Sequence, residues 1–286
     1  MDSRAAARRR TVASLKRQLV LGAWLSLAAL SCLGQSDTLS VQEIVHRSAQ
    51  ATQQDWNKAP DFDFCETDQA GEGHKTFAVL MINGSPYNRL VAVNGEPLPS
   101  SAQNSEAQKF AAEVQRRKQE TPDQHRRRVA QYERERRRDE LLLSEFADAM
   151  NFTRVGTATV DGHETYVLDA KPRPNYIPKS METKVLTGMK GRLWVDQSSF
   201  RWAKVQAEAF RPVSIEGFLA RVEPGTRFEL EEKPVGDSSG TWMISHFAMR
   251  ARAKVFFLFP KNSAEDSLYF DYKPVGTLSP ESCLQH

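Results

Sequence analysis

The sequence predicts an α+β fold built on an antiparallel sheet. Three observations carry that expectation: a capped amphipathic helix near the start, a long succession of period-two segments joined by short turns, and a densely charged helical tract between them. The 286 residues are 40% hydrophobic and 26% charged, with a mean hydropathy of −0.54. That composition excludes collagen-like, coiled-coil-only and polytopic membrane chains, and the length allows a core that needs no disulfide staples.

The helix comes first. Ser40 and Glu43 have the spacing of a capping box, and Val41, Ile44, Val45, Ala49, Thr52 and Trp56 then recur at helical intervals until Asn57-Lys58-Ala59-Pro60 ends the run. The period next falls to two. Phe62 and Phe64 alternate with acids, and residues 76–83 and 87–94 read as strands. Turn chemistry separates them at Gly71-Glu72-Gly73 and Asn83-Gly84-Ser85-Pro86, and Asn94-Gly95-Glu96-Pro97 closes a three-strand meander.

Residues 98–150 form a charged helical hairpin inserted into this pattern. Phe110, Ala111 and Val114 make a narrow apolar stripe, and Thr121-Pro122-Asp123-Gln124 is a second capping box with Pro at the first helical position. Glu106 to Glu140 carry 11 Lys/Arg and 8 Asp/Glu, with pairs such as Glu113–Arg117 and Glu133–Arg137 one turn apart. The interleaved acids favour a solvated hairpin over a basic arm, so no nucleic-acid partner is expected.

Strand patterning returns after Asn151. Residues 155–160 and 165–170 flank Asp161-Gly162. Residues 191–196, 201–210, 215–222, 226–232, 240–250 and 253–259 follow, and 268–272 is a last short strand in a polar tail that begins after Pro260. Phe228 and Leu230, flanked by Arg227, Glu229 and Glu231, show one apolar and one polar face.

Residues 1–34 have the layout of a secretory signal: a basic n-region from Arg8 to Arg17, an apolar run from Leu19 to Leu33, then small and polar residues. They carry +5 of a chain total of +3, so the remainder carries −2 and the basicity belongs to the leader. The mature chain, 35–286, is expected as a single domain and a monomer, exported to the periplasm of a Gram-negative-type bacterium. Cys32 is either removed with the leader or, after Ser31, lipidated at an outer-membrane anchor. Cys65 and Cys283 then form an even pair in an oxidising compartment, bridged or left as two buried thiols.

No catalytic, metal or cofactor motif is present in the sequence. The chain has no Gly-x-Ser-x-Gly elbow, no phosphate-cradling Gly loop and no Cys-x-x-Cys; His163-Glu164 begins like a zinc-protease helix, but Val167 stands where the second His is needed. No enzyme, metal or cofactor is therefore expected. A hydrolase assembled from dispersed acids and His163 is the remotest of the alternatives.

The tract Gly191-Arg192-Leu193-Trp194-Val195-Asp196, with its turn and the returning Phe200-Arg201-Trp202-Ala203-Lys204-Val205, resembles the Gly-x-Leu-Trp-Val-Asp strand pair of the LolA-like lipoprotein-sorting and lipoprotein-carrier superfamily. Tyr166-Val167-Leu168, followed by Pro172, is similar to that group's preceding strand, so the specific likeness spans about 165–210. The resemblance implies a curved, half-open antiparallel β-barrel with helices packed on its concave face. It also implies a non-catalytic lipid or lipoprotein carrier that holds acyl chains between sheet and helices and needs no cofactor, with an envelope membrane protein as donor or acceptor. The candidate acyl-groove residues are Leu193, Val195, Phe228, Leu230, Trp242, Ile244, Val255 and Phe257 on the apolar side of the strands. The alternative is a lipid-anchored envelope interaction module whose groove is filled by its own helices.

Overall fold

The computed structural model describes residues 39–70, 73–215, 220–236, 240–255 and 259–285; the leader with Cys32, and Phe257, lie outside the described residues. Three α-helices are described: α1 (Val41–Lys58), α2 (Ser100–Lys118) and α3 (Pro122–Ala149). Ser40 Oγ accepts the Glu43 N–H at 3.1 Å, while the Glu43 carboxylate turns to Arg47. At α3 both halves of the Thr121–Gln124 capping box are made.

Thirteen strands form one antiparallel sheet. In chain order they are β1 (Phe62–Asp68), β2 (Lys75–Ile82), β3 (Ser85–Val93), β4 (Glu96–Pro97), β5 (Met150–Val160), β6 (His163–Pro172) and β7 (Met189–Asp196). There follow β8 (Trp202–Ala209), β9 (Val213–Ile215), β10 (Ala220–Val222), β11 (Arg227–Pro234), β12 (Trp242–Val255) and β13 (Phe259–Pro274). The spatial order is β4-β3-β2-β1-β13-β12-β11-β8-β7-β6-β5, with β9 and β10 hung off β12. β4 and β5 end this order unpaired with each other, so the barrel is not closed.

The tight turns follow from residue chemistry. Asn83-Gly84, Asn94-Gly95 and Asp161-Gly162 all have two successive positive φ values, between 47° and 88°, the conformation whose twist matches a two-residue hairpin. Gly191, which opens the Gly-x-Leu-Trp-Val-Asp tract of β7, has another reason to be Gly: a Cβ there would lie 2.4 Å from the Gln206 carbonyl oxygen of β8.

Three expectations need correction: 240–250 and 253–259 are not separate strands, because β12 runs unbroken from Trp242 to Val255. The segment 215–222 is not one strand but the separate β9 and β10, which pair with each other. The tail after Pro260 is not peripheral: β13 is 16 residues long and joins β1 to β12 in mid-sheet. Its polar sequence hides it, because a central strand is held by backbone pairing and can still carry polar side chains on its outer face.

The sheet is strongly curved. From β3 to β5 is nine strand spacings, or about 43 Å along the sheet at ~4.8 Å each. α3 packs against both strands. From Val129, which meets Gly84 in the β2–β3 turn, to its end at Ala149 it covers only about 30 Å at 1.5 Å per residue. The helix is a chord to the arc, and the face it crosses is concave.

α2 packs elsewhere. Its Phe110 stacks obliquely on Tyr87 and on the cluster of Cys65, Ala78, Leu80, Val91, Leu278 and Cys283. Cys65 and Cys283, both fully buried, are joined by a disulfide that ties the C-terminal turn to β1. The hairpin's charges are more structural than a solvated face requires. Arg117 is buried, and its two terminal nitrogens donate to the carbonyls of Ile82, Ser85 and Pro86 at 2.7–3.1 Å, capping the β2–β3 turn, while its Nε donates to Glu113. Glu113 pairs with Arg117 as expected, but Glu133 lies 3.8 Å from Arg136 rather than reaching Arg137.

Candidate functional site

The concave face is built by register. Leu168, Leu193, Val205, Leu230 and Phe247 are successive cross-strand partners over β6, β7, β8, β11 and β12, so their side chains share one face. One residue along, Asp169, Arg192, Gln206, Glu229 and Ala248 form the neighbouring row on the opposite face. Ion pairs stitch that outer face together, with Arg192 on Asp169 at 2.7 Å and Lys204 bonded to Glu229 and Glu231.

The candidate groove residues divide by depth. Leu193, Val195 and Trp242 are buried, whereas Phe228, Leu230 and Ile244 keep partial exposure. Parity along β11 puts Phe228 and Leu230 on the concave face. An extra residue in β12 between the Glu231 and Glu232 partners re-aims Ile244 and Trp242 to it as well. For Val255 the structure supplies only a register position, opposite Phe259, and Phe257 lies outside the described residues.

Two helices roof this face. Phe146 of α3 meets Phe152 of β5 and Trp202 of β8 edge-on, at 5.3 and 5.7 Å between centroids. α1 lies against α3 and β5 and buries Ile44, Val45, Ser48, Ala51, Thr52 and Asp55. Its attachment to the sheet is polar: the Asp55 carboxylate takes two bonds from the Arg201 guanidinium at 2.5 and 3.2 Å, and Lys58 Nζ donates to Thr241 Oγ1 at 3.1 Å. The Arg136 guanidinium of α3 covers the Trp56 ring and bonds the Trp56 carbonyl, clasping the two helices together.

The roofed space holds groups that sequence periodicity passed over. Glu232 follows Leu230 on the concave face, where burial and then the Asp55 carboxylate push its carboxyl up to about 8, against the pull of Arg201. Thr52 Oγ1 and Trp202 Nε1, both in residues more than nine-tenths buried, have no hydrogen-bond partner among the described residues. Glu145 of α3 accepts the Tyr176 hydroxyl with one oxygen, and its other oxygen has no partner among the described residues. No local motif marks such positions; the only signal was an acid, Glu232, at an apolar parity position. A cavity of about 250 Å³ opens nearby, where β12 and β13 cease to pair beyond His246 and Leu268; Ile244, Tyr269 and Tyr272 are among its walls.

The other chemical candidates resolve into structural roles. His163 Nδ1 lies 3.4 Å from Asp196, and Ser198 and Ser199 are adjacent, which gives the residue types of a hydrolytic triad. Both hydroxyls, however, donate to Asp196 Oδ1, at 2.6 and 2.7 Å, so they hold the turn instead of meeting a base. Against a burial that raises it, Asp196 is held below its ordinary pKa by Ser198, then Ser199, with His163 adding to the effect. Glu229, Glu231 and His246 on the convex face are close enough to share a cation, but the Lys204 ammonium already bonds both carboxylates and His246 is paired with Asp266 at 3.0 Å.

No family model and no curated protein matches the chain. Among solved structures, it is similar to a LolA superfamily protein from Nitrosomonas europaea, with 12% identity, 85% of this chain and 96% of that chain covered, and a TM-score of 0.30. It is also similar to a domain described as outer-membrane lipoprotein-sorting from Vibrio parahaemolyticus, at 11% identity, 85% and 100% coverage and a TM-score of 0.31. A third is the MucA/MucB complex from Pseudomonas aeruginosa, at 10% identity, 82% and 99% coverage and a TM-score of 0.24. The neighbours named first are thus LolA-superfamily and lipoprotein-sorting proteins, while the fold of this chain rests on its own strand order: a mixed α+β architecture around an open antiparallel sheet.

Proposed function

We propose that this protein is a non-catalytic carrier of lipid or lipoprotein acyl chains, exported to the periplasm, that takes its cargo between the concave sheet and helices α1 and α3. The observation that carries this reading is the asymmetry of the roofed face. Its floor is an apolar row from Leu168 to Phe247, while its roof is held to the sheet at Asp55–Arg201 and Lys58–Thr241, bonds that can be exchanged for water. Each acyl CH₂ buried contributes ~0.8 kcal/mol, so a chain of a dozen carbons offsets on the order of 10 kcal/mol of roof opening. The cavity of about 250 Å³ between β11, β12 and β13 is below the size of a pocket for a whole lipid, so it does not by itself house the cargo. The Gly-x-Leu-Trp-Val-Asp strand at 191–196, with its returning strand at 200–205, supports the same reading. Among the described residues no helix is long and apolar enough to cross a membrane.

A second reading, an envelope interaction module permanently plugged by its own helices, draws on the completeness of the roof over Trp202 and Leu193. Native mass spectrometry of the protein from its envelope fraction, followed by extraction, separates the two. Bound lipid or acylated peptide supports the carrier. A bare polypeptide mass that persists after incubation with excess fatty acid supports the plug and refutes the carrier.

A further inference from the structure

We propose that the loop between β6 and β7, together with the outer side of α3, is a docking surface for an anionic lipid bilayer. The loop presents apolar side chains to solvent: Ile177 is 83% exposed and Met181 42%, and Leu141 of α3 is 40% exposed. Ile177 is the most exposed large apolar side chain among the described residues, and Met181 lies on the same loop.

The loop is built to hold this shape. Tyr176 donates its hydroxyl to Glu145 of α3, and the Lys179 N–H donates to the same carboxylate oxygen at 3.4 Å. Ser180 and Thr183 exchange bonds at 3.2–3.3 Å in the following turn. Ile177 therefore sits between two residues anchored to one carboxylate, and Pro178 restricts the backbone beside it. The Tyr176 and Lys179 contacts lay the loop along the last turns of α3, where Leu141 lies one helical turn before Glu145.

The charge around these apolar tips selects the partner. Arg134 and Arg138 are one turn apart on α3, and both they and Arg137 are exposed. Arg134 and Arg137 have no ion-pair partner among the described residues, whereas Arg138 acts on the exposed Glu182 through its field. Lys179, two-thirds exposed, lies 3.7 Å from an equally exposed Asp148. The exposed guanidinium groups of Arg137 and Arg138, one helical turn before Leu141, and of Arg134, one turn further back, put positive charge on the helix face that carries an apolar tip, as suits an interface where acyl chains lie beneath negatively charged headgroups. This surface is separate from the concave face, and its assignment does not depend on the cargo.

The test places an environment-sensitive nitrobenzoxadiazole label at position 177, as Ile177→Cys in the full chain carrying Cys32→Ser, with Cys65 and Cys283 occupied by their disulfide. Because the label reports only its own surroundings, membrane affinity of the leader does not by itself change it. With vesicles of phosphatidylcholine containing about 30% phosphatidylglycerol, the emission is expected to rise at least about twofold and to be quenched by brominated acyl chains. The rise is expected to be absent on pure phosphatidylcholine, and to fall about tenfold in apparent affinity in Arg134→Glu/Arg137→Glu or in 0.5 M salt. Leu230→Glu, which disturbs the concave face, should leave it unchanged, so failure of the carrier reading is distinguishable. No change on anionic vesicles, or an equal rise on both compositions, overturns the proposal.

Discussion

Glu232 makes the roofed face sensitive to pH, and the effect can be calculated. An acid whose folded pKa is raised binds a proton in the folded state that it releases in the unfolded one. Its contribution to stability is greatest below the unfolded value, 4.5, and declines as pH rises toward and through the folded value, about 8. Integrating between those values, ionisation of Glu232 removes up to about 2–3 kcal/mol between pH 6 and pH 9. The groups facing it are Asp55 from α1 and Arg201 from the turn before β8, so the strain falls on the α1 attachment. The perturbation is Glu232→Gln, which keeps the shape and removes the titration. Urea unfolding at pH 6, 7, 8 and 9 should give a stability curve for the variant flatter than the parent's by that amount, with the variant more stable at pH 9. Parallel curves would refute the assignment of Glu232 as a proton-binding group of the folded state.

Further expectations follow from other contacts. Leu230→Glu puts a charge on the partly exposed floor: the chain should fold, with unchanged circular dichroism, but bind a fluorescent fatty acid at least about tenfold more weakly. Full retention of binding would remove Leu230 from the groove. Reduction of Cys65–Cys283, which closes a sequence separation of 218 residues, should cost about 5 kcal/mol on the chain-entropy account, read as a lowered guanidinium midpoint that Cys283→Ala reproduces. Gly191→Ala drives a methyl group into the Gln206 carbonyl and should lower stability by about 2 kcal/mol or more, whereas Gly95→Ala, with nothing near its Cβ direction, should cost only the strain of its positive φ. Intact mass of the exported chain should show an N-terminus near Gln35; a diacylglyceryl mass abolished by Cys32→Ser would instead establish the anchor.

Much of the architecture is legible in local pattern, because local physics decides it. Ser40 and Thr121 start helices wherever they are placed before an apolar-periodic run, and Asn-Gly and Asp-Gly pairs turn chains whatever surrounds them. Alternation of Phe228 and Leu230 with charged residues likewise states which side of β11 faces inward. These are interactions within a few residues, so periodicity reports them directly.

Long-range pairing is decided by tertiary structure alone. The polar stretch after Pro260 becomes the strand between β1 and β12, because backbone hydrogen bonds to two neighbours require no apolar signature. Arg117 reads as one more charge on a solvated helix, yet it is buried at the β2–β3 turn, where three carbonyls need donors. Glu232 shares a face with Leu230 by parity, but only the approach of Asp55 and Arg201 from elements distant in sequence determines its charge. The chain's own residues specify helices, turns and strand faces. Which strands meet, and which charges are buried when they do, depends on how the sheet curves and on where α1 and α3 close over it.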